Sequence, residues 1–144
     1  MHTDWQTFLM SRHAKIVNGR VTQFDNGDDA FHTIQNGNYL TDLSHFGLIR
    51  FSENDAQSFL QSQLTCNVRE ITAQHMQYGG YCNSSGRILA SFLLWRNEQD
   101  YLMQLPANLC SSIQKRLSLL YRDKHEYKVE NKEGDYKVIV SVFL

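Results

Sequence analysis

The sequence predicts an α+β fold with a largely antiparallel sheet and two main helices, preceded by an N-terminal helix and hairpin. Three observations carry that expectation. Short apolar runs alternate with period two, two segments carry the 3.6-residue apolar spacing of a helix, and tight turns separate successive runs. Strands joined by tight turns pair antiparallel, because parallel neighbours need a long crossover.

The elements follow in order. Thr3 stands where it caps a short amphipathic helix, with Trp5, Phe8 and Leu9 on one side. In AKIVNGRVTQF, Asn18-Gly19 lies between two alternating runs, the strongest short-range hairpin signal. Asp25 to Asn38 is rich in Gly, Asn and Asp and reads as a loop. Leu48 to Phe51 is a short strand. Ser52 with Asp55 three residues on resembles a capping box, opening a helix from about Asn54 to Leu64 with Ala56, Phe59, Leu60 and Leu64 on its apolar face.

Gln74–Cys82 alternates and pairs across the turn Asn83-Ser84-Ser85-Gly86 with Arg87–Arg96, a strand apolar on both faces except at Ser91. Asn97–Asp100 turns into a further strand, Tyr101–Leu105. Pro106 then marks a helix start, where its missing N–H costs nothing. Leu109, Ile113, Leu117, Leu120 and Tyr121 form that helix's buried stripe. Two last strands, Tyr127–Glu130 and Tyr136–Phe143, meet around Lys132-Glu133-Gly134. From Leu40 onward the order is therefore β-α-β-β-β-α-β-β. The 144 residues read as a single domain, with residues 1–39 as helix, hairpin and loop and residues 40–144 as core.

The final strand places Val138, Ile139, Val140, Val142, Phe143 and Leu144 on both of its faces. Such a strand needs cover on both sides. The chain is therefore expected to be a piece of a longer protein, or to self-associate through this strand.

Composition narrows the function classes. Lys+Arg 14 against Asp+Glu 15 leaves no global field toward nucleic acid, and the alternating signs from Lys115 to Lys137 read as a solvated face. The longest apolar run, Ile88 to Trp95, is far short of a membrane span. MHTDWQTFLMSRH lacks the pattern of a secretory signal, and Cys66, Cys82 and Cys110 lack CxxC spacing, so a cytoplasmic chain with reduced thiols is expected. The six histidines show no metal-ligand spacing. There is no GxxxxGK or GxGxxG, and no spacing selects a hydrolase triad. What remains is an aromatic set, Phe46, Tyr78, Tyr81 and Trp95; aromatics at strand spacing are most often core residues, and a flat heteroaromatic ligand would need such faces to stack on, so composition alone leaves both readings open.

LTDLSHFGLIRFSENDAQSFLQSQLTCNV, YCNSSGRILASFLLW and LPANLCSSIQKRLSLLYRDK together resemble the YgfZ branch of the folate-binding YgfZ/GcvT family, as does WQTFLMSRHAKIVNGRVTQF at the start. Members are usually at least twice this length and are related to the T-protein aminomethyltransferase of glycine cleavage. The resemblance implies tetrahydrofolate as ligand, with Phe46, Tyr78 and Ser91 at folate-contacting positions and Tyr81, Asn83 and Arg87 in the adjoining pocket or turn. It also implies support of iron–sulfur enzymes, including one that modifies tRNA, as the role and the source of partners.

Two departures matter. The aminomethyltransferases carry paired carboxylates where this chain has Ala90 and Ser91. A hydroxyl supplies a hydrogen bond but no charge, so group transfer is not expected. Ser85 replaces a Lys usual in the YgfZ branch, and a KGCYxGQE-like segment with its functional cysteine is not in the sequence. An aminomethyltransferase, and an interaction module for an iron–sulfur enzyme or tRNA, are the alternative readings.

Overall fold

The computed structural model describes residues 3–24, 39–52, 54–121, 129–131 and 139–142. The Asp25–Asn38 loop, the junction at Lys132-Glu133-Gly134 and the final Phe143-Leu144 pair lie outside the described residues. The chain divides into two compact units, residues 1–45 with 134–144, and residues 46–133. The break falls after His45, six residues beyond the expected end of the N-terminal segment.

The first unit contains α1 (Thr3–Ser11), β1 (Ala14–Val17), β2 (Arg20–Phe24) and β3 (Tyr39–Asp42), with the last strand, β9 (Ile139–Val142). β1 and β2 form the expected hairpin, and Asn18 and Gly19 turn with φ of 51° and 73°. Two successive left-handed residues match the right-handed twist of the flanking strands, which is why Asn-Gly is selected here. On α1 the Trp5 and Phe8 rings stack 5.2 Å apart, and Trp5 Nε1 donates to Asp42 Oδ1 at 2.8 Å, tying the helix to the end of β3. β3, which the sequence does not announce, pairs antiparallel with β9.

The second unit carries a five-stranded sheet. Its order is β5-β6-β7-β4-β8, with β4 (Phe46–Phe51), β5 (Gln77–Cys82), β6 (Ile88–Asn97), β7 (Asp100–Pro106) and β8 (Val129–Asn131), and every pairing is antiparallel. Between them lie α2 (Ala56–Gln63), a 3-10 turn (Val68–Glu70) and α3 (Ala107–Tyr121). One sheet face packs on the helices. Ile49, Phe51, Tyr81, Ala90, Phe92, Leu94, Tyr101, Met103 and Leu105 meet Ala56, Leu60, Cys110, Ile113 and Leu117 in one core. The α+β class and the antiparallel sheet are as the sequence predicts.

Four local expectations are corrected. α2 begins at Ala56, with Asp55 at the N-cap position making no side-chain cap bond; Ser52 Oγ instead accepts from Arg50 Nε at 2.9 Å, so no capping box forms. Pro106 ends β7 opposite Phe46, one residue before α3. In the α3 stripe Cys110 joins Leu109, Ile113 and Leu117, while Leu120 points outward because it lies beyond the arc facing β4, β7 and β8; the Tyr121 side chain lies outside what the structure describes. Finally, β8 and β9 do not pair with each other. β8 joins the free edge of β4 and β9 joins β3, since alternation specifies that a strand exists but not which edge receives it.

Candidate functional site

Antiparallel register places directly opposed residues on one face of a sheet. Tyr78 opposes Leu93, Leu93 opposes Gln104, and Gln104 opposes Leu48. These four side chains form one row across β5, β6, β7 and β4, a span of about 14 Å at the usual strand spacing. In the next row, Gly80 opposes Ser91, and Phe46 opposes Pro106 two residues from Leu48 and Gln104. On the other side, Trp95 and Arg50 both oppose Leu102. All of these lie on the sheet face opposite α2 and α3. Phe46, Tyr78 and Ser91, spread over 46 positions of sequence, therefore share one surface.

Burial changes along the central row. Tyr78 is 83% exposed, Leu93 is half-buried, Gln104 is 9% exposed and Leu48 4%. Ser91 is exposed and Phe46 and Trp95 are half-buried. β6 is accordingly not apolar and buried on both faces alike: Ala90, Phe92 and Leu94 are buried inward, while Leu89, Leu93 and Trp95 are only half-covered. Gln104 Nε2 is buried without a hydrogen-bond partner, the one such side-chain atom among the described residues. Buried donors are almost always satisfied, so an unmatched one marks a place where something is missing from the arrangement. A single Gln inside the apolar run Tyr101–Leu105 is the sequence signal for this position, parallel to Ser91 in its own strand.

The remaining predicted positions are placed as follows. Tyr81 faces the core, opposite Ala90, and is buried away from this surface. Asn83 holds the turn: its Oδ1 accepts from the Ser85 and Arg87 amides at 3.1 and 2.8 Å, and its own amide donates to the Arg87 carbonyl at 2.9 Å. Gly86 turns with φ of 77°. Arg87 is exposed beside it. The turn is thus a rigid corner next to the face rather than part of it. A register shift at Tyr81/Cys82 leaves Leu89 as the extra residue of a bulge there.

Charge is sparse on this surface. The Arg50 guanidinium and the Asp100 carboxylate pair at 3.3 Å at the end of β4 and β7, and none of the residues in the two central rows is acidic. Among the described residues no group of three His, Cys, Asp or Glu is arranged to hold a metal. No helix among them is long and apolar enough to cross a membrane. An exposed aromatic ring, an aliphatic floor, one hydroxyl and one unmatched amide donor suit a flat heterocycle with a polar edge.

The family profile described as the GCVT N-terminal domain matches residues 9–140, and the chain belongs to that family. A chloroplastic protein of Arabidopsis thaliana whose name describes it as a transferase is 30% identical over 88% of this chain and 30% of its own length. The tRNA-modifying protein YgfZ of Colwellia psychrerythraea is 34% identical over 52% of this chain and 24% of its own. An aminomethyltransferase of Lysinibacillus sphaericus is 29% identical over 81% and 32%. The crystal structure of the glycine cleavage aminomethyltransferase T from Bartonella henselae superposes over 90% of this chain and 37% of its own, with a TM-score of 0.74 at 20% identity, a likeness of fold. The matched segments make up between about a quarter and a little over a third of these relatives' own length.

Proposed function

We propose that residues 46–106 provide the folate-binding surface of a YgfZ-type protein that supports iron–sulfur enzymes, tRNA-modifying ones among them, without catalysing group transfer itself. The observation that carries the reading is the convergence of Phe46, Tyr78 and Ser91 on one sheet face. The pterin stacks against the aromatic and aliphatic side chains of that face, and the Ser91 hydroxyl hydrogen-bonds its edge. Ser91 and the buried Ala90 stand where a transferase needs carboxylates, so the surface holds folate but has no group to stabilise a developing charge. The rest of the longer protein completes the polar recognition, and the 144-residue chain alone binds tetrahydrofolate weakly.

Isothermal titration with tetrahydrofolate tests this, alongside an assay for folate-dependent formaldehyde or ammonia release. Weak binding that Phe46→Ala lowers further, with no release, is the expected result. Release that Ser91→Ala abolishes would establish the aminomethyltransferase reading in its place. Capture of an iron–sulfur enzyme or tRNA that tolerates Phe46→Ala, without folate binding, would make the chain an interaction module.

A further inference from the structure

We infer that Gln104 is the specificity-determining residue of this face: its side-chain N–H donates to a ring-nitrogen or oxo acceptor of the bound heterocycle, so that the ligand's polar edge lies over β7 and its tail leaves over β5. The inference rests on the folate reading for the ligand's chemical class, but its physical basis is independent. Gln104 is more than nine-tenths buried, its Nε2 is unmatched, and its strand position places it on the surface shared by Tyr78, Leu93 and Leu48.

The row has a direction. Exposure falls from Tyr78 at its outer end to Gln104 and Leu48 at its inner end, with the half-buried Leu93 between them. A flat ligand lying on Leu93 therefore meets an open phenol at one end and an enclosed amide at the other. A charged or flexible tail remains hydrated only at the Tyr78 end, and a hydrogen bond gains most from exclusion of water at the Gln104 end. Three side-chain torsions let the glutamine amide swing along the face from its enclosed position toward Leu93. An unmatched buried donor destabilises the empty protein; an acceptor on the ligand relieves that cost, so the same atom weakens the empty state and strengthens the bound one. A ligand that is merely apolar gains nothing from it. The residue thus selects by chemistry rather than by size.

Gln104→Met keeps the length of the side chain and removes its donor. Thermal unfolding of this variant and titration of tetrahydrofolate, followed through the backbone amide signals of Tyr78 and Leu93, test the assignment. The expected result is a Tm equal to or above that of the parent chain together with roughly five- to tenfold weaker binding, the equivalent of one lost hydrogen bond. In the parent chain the side-chain amide signal of Gln104 should shift on saturation, a readout that needs no variant to fold. Unchanged affinity in Gln104→Met, or a stationary Gln104 side-chain signal while Tyr78 and Leu93 respond, overturns the inference and leaves the folate reading standing. No response of the face to millimolar tetrahydrofolate overturns both.

Discussion

Gly79 and Tyr78 are neighbours with opposite duties. Gly79 faces the core, and a Cβ built there would lie 2.6 and 2.8 Å from the Phe92 ring and 3.0 Å from Cys66 Sγ. The missing side chain is what lets the Phe92 ring cover β5. Gly79→Ala forces that ring aside and is expected to cost about 1–3 kcal/mol, read as a lower urea midpoint. Because the closest approaches are to that ring, Phe92→Leu should recover part of the cost, with a coupling above about 0.5 kcal/mol in the double-mutant cycle. Tyr78, with most of its surface in solvent, behaves differently. Tyr78→Ala is expected to leave stability within about 0.5 kcal/mol and to lower tetrahydrofolate affinity by the ~1 kcal/mol of a lost aromatic contact, measured by denaturation and titration side by side.

Hairpins and helices show which information is local. The Asn18-Gly19 turn was legible because the turn type itself demands left-handed backbone. Gly19 has nothing within 4 Å of a built Cβ, so Gly19→Ala meets no clash and isolates the conformational term, expected as about 1 kcal/mol of lost stability in thermal unfolding. The Asn83–Gly86 turn was legible for the same reason, and the structure adds the Asn83 side chain as its organiser. Partnerships between distant segments were not legible. β3 is four residues long with no alternating run of its own, and the separate destinations of β8 and β9 depend on which strand edges are free after the sheet has formed. Ser52 caps nothing because α2 begins four residues later, at Ala56, and its hydroxyl meets Arg50 instead, neither of which local spacing reveals. Gln104 stands out locally as the one polar residue of its run, but only the register across β6, β7 and β4 shows that it shares a face with Tyr78 and Leu93.

At the scale of the molecule, the GCVT N-terminal domain accounts for residues 9–140, while relatives extend to about two to three times this length. Cys66 and Cys110 are buried and Cys82 is half-buried, none of them in a disulfide. Burial pushes the Cys66 thiol above its ordinary value, partly offset by a backbone hydrogen bond. A thiol whose folded value is raised stays protonated when the unfolded chain has begun to ionise. Its contribution to stability is complete below about pH 8.5 and is lost as pH rises from there through the raised folded value. Denaturation midpoints are therefore expected to fall above that pH in the parent chain, and less steeply in Cys66→Ala.

The central claim is that one face of the five-stranded sheet binds folate, and a nitrogen-15 chemical-shift map with tetrahydrofolate tests it most directly. Shifts at Phe46, Tyr78, Ser91, Leu93 and Gln104, with Tyr81, Ala90 and Phe92 on the core face much less affected, are the predicted result. Shifts centred on the core-face residues or on the outer side of α3, with the Tyr78 face unmoved, would contradict it.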